Sequence, residues 1–245
     1  MKPKVAFFSF TSCEGCQLTV LECEDILLDM LGQIEIVRFR EASSLKRDDY
    51  EIAFIEGSAS RPDDVTRMRK IRERANLVVA IGACAVSGGV NFMKNFHYLQ
   101  RTREHVYGAQ ADWFPTTQVQ PVEAVIKVDH SVYGCPMTKD EFLETVKSLL
   151  VGRTPRIPQY PVCVECKMAE NVCLFHRGQT CLGPVIRAGC QAFCPGLGAG
   201  CDGCRGLAPD HNLASLTNVL GEYGMKPEEV RRKLRLFNGY IEVQP

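Results

Sequence analysis

The chain reads as an α/β protein: a doubly wound parallel sheet followed by a small irregular domain crowded with cysteine. Three observations predict this. Short apolar, β-rich runs alternate with helix-period segments through residues 1–150. A proline-punctuated stretch, GRTPRIPQYPV at 152–162, then ends that rhythm. Beyond it lie eight of the thirteen cysteines, all between Cys163 and Cys204. The expected division is a sheet domain over 1–152 and a second domain over 153–245.

The elements follow in order. Lys4–Phe10 is an apolar run with polar flanks, as a buried strand requires. In 17–31, Leu18, Leu21, Leu28 and Leu31 recur at helical spacing, with Val20 and Leu27 widening the stripe and Gly32 as the stop. Ile34–Phe39 and Ile52–Ile55 are short strand-like segments. The charged stretch Arg61–Ala75 is helical, with Pro62 near its first turn, where the missing N–H costs nothing. Leu77–Ile81 and Val125–Val128 read as further strands, the latter extending toward Tyr133. Thr138 and Glu141 are spaced as a capping box opening a helix that runs to about Leu150. Helical character returns at Leu213–Tyr223 and Pro227–Phe237. Between Cys163 and Gly206 periodicity is slight, so bound metal is expected to organise that stretch.

Parallel strands build their sites beyond their carboxyl ends. Cys13 follows the first strand, Glu56-Gly57 the third, Cys84 the fourth and Cys135 the fifth, so they are expected to converge on one edge of the sheet. Ser12-Cys13-Glu14-Gly15-Cys16 sets two thiolates three positions apart at a strand–helix junction. Gly15 eases the bend, and the helix end is expected to lower the thiol pKa values. Gly82-Ala83-Cys84 and Gly134-Cys135-Pro136 add two ligands, each beside a glycine. A redox C-x2-C disulfide would need no further cysteines. A flavin phosphate would sit in a Ser/Thr-rich loop after strand 1 of a flavodoxin-like sheet, and Ser9, Thr11 and Ser12 are present. Cysteines occupy the crown of that loop, so no flavin is expected.

The later cysteines run C-x2-C-x6-C-x7-C from Cys163 to Cys181, with Cys166 and Cys173 between. Cys190, Cys194, Cys201 and Cys204 follow as C-x3-C-x6-C-x2-C. Eight thiolates divide into two complete four-ligand sites, open to zinc or to iron–sulfur clusters. With the first set, twelve thiolates suit three four-iron clusters and leave Cys23 over. An odd cysteine count argues against a disulfide framework. The N-terminus, MKPKVAFFSF, has no small-residue cleavage site after its brief apolar run, so it reads as a strand and the expected location is the cytoplasm. The formal charge is +0, with 29 basic and 29 acidic side chains, which gives no footprint for nucleic acid. No apolar run has the length of a membrane span.

Together these pieces resemble the small, electron-transferring subunit of nickel–iron hydrogenases. The soluble cytoplasmic types, linked to NAD(P), sulfur, or deazaflavin and heterodisulfide pathways, are the nearest in pattern. The early C-x2-C, Gly-Ala-Cys84-Ala85, Gly-Cys135-Pro136, Cys173-Leu174, Cys181-Leu182-Gly183-Pro184 and the Cys201/Cys204 pair stand in family order. The resemblance implies three 4Fe-4S clusters. Cys13, Cys16, Cys84 and Cys135 would hold the proximal cluster. Cys163, Cys166, Cys173 and Cys181 would hold the distal one, and Cys190, Cys194, Cys201 and Cys204 the medial one. It implies a nickel–iron centre in a large-subunit partner and no catalytic residue in this chain. A further electron-transfer subunit, whether flavoprotein, ferredoxin-like or heterodisulfide reductase-linked, would take the electrons onward. Cys163 stands where exported relatives have histidine, which implies a lower distal potential. Cys194 stands where they have proline, so the medial site would hold four irons instead of three. The twin-arginine export signal of those relatives is absent. The corresponding subunit of respiratory complex I fits less well, because it has adjacent cysteines in place of C-x2-C. A stand-alone iron–sulfur carrier and a zinc-organised interaction module are the alternatives.

Glu14, which replaces a threonine of the family pattern, is a candidate proton relay, with Glu56 a weaker one. Cys23 is expected to be a buried free thiol. The five histidines have no ligand spacing among themselves, and the basic run Arg231, Arg232, Lys233 and Arg235 complements a helix end. Phe92, Phe96, Trp113 and Phe114 either meet a partner or close the protein's own core.

Overall fold

A computed structural model describes residues 2–23, 26, 29 and 32–243. Five parallel strands form one sheet: β1 (Lys4–Ser9), β2 (Glu35–Arg38), β3 (Ile52–Glu56), β4 (Leu77–Ile81) and β5 (His130–Val132). Their spatial order is β2-β1-β3-β4-β5, the flavodoxin-like order with its switch point between β1 and β3. Such a sheet is covered on both faces, which is why its central strands carry unbroken apolar runs; all five residues of β3 are buried, including Glu56 at its end.

The helices α1 (Gly15–Leu21) and α5 (Lys139–Leu150) cover one face. There Phe7 stacks on Phe39 and Phe54, with centroids 4.4 and 5.0 Å apart, and Phe142 meets Phe54 edge-on at 5.6 Å. The other face packs Ala53, Ile55 and Val78 against Met68 and Ile71 of α2 (Asp64–Arg74). Each large apolar side chain, fully buried, contributes about 1.5–3 kcal/mol.

Several boundaries differ from the sequence reading. The helix expected over 17–31 begins at Gly15 and pauses after Leu21, with Glu22 in a turn; Leu27, Leu28 and Leu31 lie outside the described residues, and Gly32 is itself helical. The helix expected from Arg61 starts at Asp64, because the buried Asp64 carboxylate accepts the N–H groups of Ser60 and Arg61 and holds 60–63 as a turn. Val125–Val128 is not a strand. The chain turns through Val122–Ala124, and the strand is His130–Val132, where Ala80 pairs with Ser131. The capping box also fails to form. Thr138 makes no side-chain cap, and Glu141 turns away to accept the Tyr133 N–H and pair with Arg205.

Past the sheet, α3 (Gly82–Ser87) and a 3-10 stretch (Gly89–Phe96) follow β4, and α4 (Leu99–Tyr107) lies farther out. The proline-rich segment is extended and enters α6 (Val162–Met168) at Pro161. Turns then lead to α7 (Phe193–Gly196), α8 (Leu213–Glu222) and α9 (Pro227–Asn238). Contrary to expectation, this region does build an apolar core: Val162, Leu182, Val185 and Ile186 pack with Leu216 and Leu220 of α8 and Val230 of α9. The two late helices supply what the cysteine-rich stretch lacks. Helix α9 also returns to the first half, where Ser87 Oγ donates to Phe237 O at 2.7 Å and Arg235 lies over the Phe96 ring. Among the described residues no helix is long and apolar enough to cross a membrane.

Candidate metal centres

The first set assembles as strand order dictates. Cys13 lies in the loop after β1, Cys16 in the first turn of α1, Cys84 in α3 directly after β4, and Cys135 just beyond β5. The charges of Cys84 and Cys135 act on Cys16, and that of Cys13 acts on both Cys84 and Cys135, so the four thiols face one another. Glycine makes room for them. A Cβ on Gly82 (φ +79) would overlap Cys16 Sγ, and one on Gly15 would stand 3.3 Å from Cys13 Sγ. Asn91 Nδ2 donates to Thr11 O at 2.9 Å and lies 3.6 Å from Cys84 Sγ, tying the loop after α3 to the loop after β1.

Glu56, the last residue of β3 and almost wholly buried, serves this site as a cap. Its carboxylate accepts the N–H groups of Cys16 and Gln17 at 3.2 and 3.1 Å, and the Gln17 amide at 3.1 Å. Burial pushes the Glu56 carboxyl above its ordinary pKa, against those bonds. At Cys16 the expected lowering of thiol pKa by the helix end does not occur. Glu56 occupies those N–H groups, and burial followed by the Glu56 charge drives the Cys16 thiol far upward. Burial and neighbouring thiolates push Cys84 up to about 12.

The second and third sets show the same chemistry. Burial, then the charges of Cys181, Cys166 and Cys173, raises Cys163 to about 12. Cys194 is raised by burial and then by Cys190; Cys201 is driven up by burial, with Cys204 and Cys190 among the charges acting on it. Gly183 leaves space beside Cys181 and Cys163. These donor sets repel their own ionised form, so a cation bound there would be what holds their thiolates, and soft sulfur donors suit iron–sulfur clusters or zinc. Among the described residues no three His, Cys, Asp or Glu side chains close around a single-ion position.

The sets adjoin one another in series. The Cys135 peptide lies close enough to Cys204 to lower its thiol against burial, linking the first set to Cys190–Cys204. The Cys201 N–H donates to Cys181 Sγ at 3.2 Å, linking that set to Cys163–Cys181.

Of the other sequence candidates, Glu14 sits at a left-handed φ of 62° beside Cys13 and accepts from Ser9 Oγ and Arg40. The Ser9 bond, together with Arg40, holds its carboxyl below the ordinary range. Cys23 lies apart from the clusters, with its Sγ donating to Thr19 O at 3.3 Å and burial raising its thiol. Phe92 and Phe96 pack edge-on at 5.9 Å within the protein, while Phe114 stacks on Tyr107 and Trp113 is exposed. Sequence reasoning missed Asn91, Glu165 and Arg205, since lone polar side chains carry no spacing signal.

Residues 13–149 match the family described as NADH ubiquinone oxidoreductase, 20 Kd subunit. Sulfhydrogenase 2 subunit delta of Pyrococcus furiosus is 36% identical over 239 residues, covering 96% of this chain and 98% of that one. A vhu chain of the F420-non-reducing hydrogenase of Methanococcus voltae is 30% identical, covering 98% of this chain and 95% of its own length. Among solved structures, an NAD+-reducing [NiFe]-hydrogenase in the H2-reduced state superposes with a TM-score of 0.60 at 28% identity, over 64% of this chain and 96% of that one. A [NiFeSe]-hydrogenase chain from Dm. baculatum shares the fold over 89% of this chain, with a TM-score of 0.58. The cysteine spacing that set the complex I subunit apart therefore does not mark a family boundary: the matched region holds the first cysteine set and strands β2 to β5. The chain belongs to the family of the 20 Kd subunit of NADH ubiquinone oxidoreductase, and within it to the small subunits of nickel–iron hydrogenases.

Proposed function

We propose that this chain is the electron-transferring small subunit of a nickel–iron hydrogenase complex, an oxidoreductase acting on hydrogen, and that it carries electrons through three 4Fe-4S clusters. The single observation behind the wire is serial contact: the Cys135 peptide lies close to Cys204, and the Cys201 N–H meets Cys181 Sγ. On this reading Cys13, Cys16, Cys84 and Cys135 hold the proximal cluster, and Cys190, Cys194, Cys201 and Cys204 the medial one. Cys163, Cys166, Cys173 and Cys181 hold the distal cluster. When bound, each cluster supplies a centre that takes up and releases one electron.

The chain's own residues bind, order and shield. Buried Cys16, Cys181 and Cys201 anchor each set on its inner side, while Cys13, Cys135, Cys173 and Cys194 are exposed. Peptide N–H groups aimed at sulfur, from Met137 to Cys16 and from Gly203 to Cys201, stabilise negative charge there. Glu14, bonded by Ser9 and Arg40 at the rim of the first set, is our candidate for a proton path. Glu14→Gln should slow hydrogen–deuterium exchange while leaving iron content unchanged.

The catalytic nickel–iron centre would belong to a large-subunit partner. A further subunit, flavoprotein, ferredoxin-like or heterodisulfide reductase-linked, would accept the electrons, and the complex would work in the cytoplasm. Anaerobic isolation from the native host tests the whole reading. A co-purifying nickel-bearing chain, about four irons per site and bleaching of the visible absorption under hydrogen are the expected results. Colourless, iron-free protein after reconstitution would overturn it.

A further inference from the structure

The segment 188–192, which carries Cys190, is gripped from two sides by side chains of opposite charge. On one side stands Arg205, next to Cys204 and 1% exposed. Its Nε donates to Ala188 O at 2.8 Å, its Nη1 to Tyr133 O at 2.7 Å, and its Nη2 to the Glu141 carboxylate. Tyr133 lies two residues before Cys135. On the other side stands Glu165, in α6 between Cys163 and Cys166. Its two carboxylate oxygens accept the Gly189 and Ala192 N–H groups at 2.8 and 3.2 Å.

The segment does not hold its own shape. Gln191 and Ala192 both adopt left-handed backbone, with φ of 54° and 51°, which L side chains disfavour. Gly189, at φ 113°, leaves the space that the Arg205 guanidinium fills, since a Cβ there would collide with it. A planar guanidinium with its fork fully engaged cannot slide, and neither can a carboxylate bridging two N–H groups. Each therefore fixes one boundary of the Cys190 site: Arg205 reaches the Cys135 loop, and Glu165 belongs to the Cys163–Cys166 helix.

We infer that Arg205 and Glu165 are positioning residues that fix the Cys190–Cys194–Cys201–Cys204 site against its two neighbours. Arg205 sets the junction with the Cys13–Cys16–Cys84–Cys135 site, and Glu165 the junction with the Cys163–Cys166–Cys173–Cys181 site. This rests on the reading that all three sets hold iron–sulfur clusters. Magnetic coupling between reduced neighbouring clusters depends steeply on their separation and orientation, so it reports each junction separately.

The test uses the anaerobically purified complex carrying either Arg205→Met with Glu141→Leu, or Glu165→Gln. The first removes the buried pair without stranding a charge; the second keeps the shape but leaves a single accepting oxygen. Iron and acid-labile sulfide are measured beside the electron paramagnetic resonance splittings of the reduced complex. Both variants should retain wild-type iron. The Arg205 variant should lose the splitting of the proximal–medial pair alone, and the Glu165 variant that of the medial–distal pair alone. Should the double variant fail to assemble, Arg205→Lys keeps the charge, loses the fork, and should show the same selective loss. Unchanged splittings in iron-replete variants would overturn the positioning roles alone, as would loss of both splittings together. Wild-type complex without iron would overturn these roles and the cluster reading beneath them.

Discussion

The Cys201 N–H points at the Sγ of Cys181 across 3.2 Å, so a cysteine of one set is solvated by the backbone of the next. Gly183 adds a second N–H to the same sulfur at 3.4 Å. Donors aimed at sulfur stabilise the more negative, reduced state of a cluster and raise its potential. On the proposed reading Cys163, in the same set, would work in the other direction, because a thiolate adds the negative charge a neutral imidazole lacks.

That contrast fixes the first prediction. Cys163→His should raise the potential of the distal cluster while the other two stay where they were. Potentiometric titration followed by electron paramagnetic resonance measures it; no upward shift would count against the placement of Cys163.

Cys194 and Cys23 make a second, paired test. Cys194 feels Cys190 first among its charged neighbours and is assigned to the medial set on the proposed reading, whereas the charges acting on Cys23 are Lys139, Glu22 and Asp140. Cys194→Ala should cost about one iron per chain, with a three-iron signal appearing in the oxidised protein. Cys23→Ala should leave iron unchanged. Equal iron loss in both would mean that the partition is misdrawn.

Gly82 gives the third. A side chain there would meet Cys16 Sγ, at a backbone φ of +79° that L residues resist. Gly82→Ala should strip the proximal cluster, about a third of the total iron, and leave the other two sites loaded. Retention of full iron and sulfide would show that the pocket relaxes around the methyl group.

What the sequence disclosed, and what it hid, follows from the physics of each feature. The strands were legible because a sheet covered on both faces needs unbroken apolar runs, as in the IAFI of Ile52–Ile55 in β3. The convergence of Cys13, Cys16, Cys84 and Cys135 was legible because each stands at or just beyond the carboxyl end of a parallel strand. Val125–Val128 misled because a short apolar run serves a turn packed under the sheet as well as a strand; Ile126 is buried in that core. Thr138 and Glu141 misled because the capping spacing says nothing of Arg205, sixty-four positions away, which claims the carboxylate instead. Glu56 was visible only as a residue at a strand end, and its capping of the Cys16 helix emerged from the fold.

The last prediction concerns acid stability, away from the cysteines. Asp129, just before β5, accepts the Val78 N–H at 2.8 Å and pairs with Arg72, with Lys127 nearby. Burial pushes its carboxyl up, but the Val78 bond and the Arg72 charge outweigh that and hold it below the ordinary aspartate range. A carboxyl lowered in the folded state binds fewer protons there than when unfolded. Its stabilisation is therefore complete above the unfolded pKa, about 3.9, and fades as pH falls through the folded one. Asp129→Asn keeps an acceptor for Val78 but loses the charge, so it should cost roughly 1–2 kcal/mol at neutral pH. Denaturant midpoints of the two proteins, followed from pH 7 downward, should converge below about pH 3. A gap independent of pH would mean that the Asp129 carboxylate contributes through packing and not through its charge.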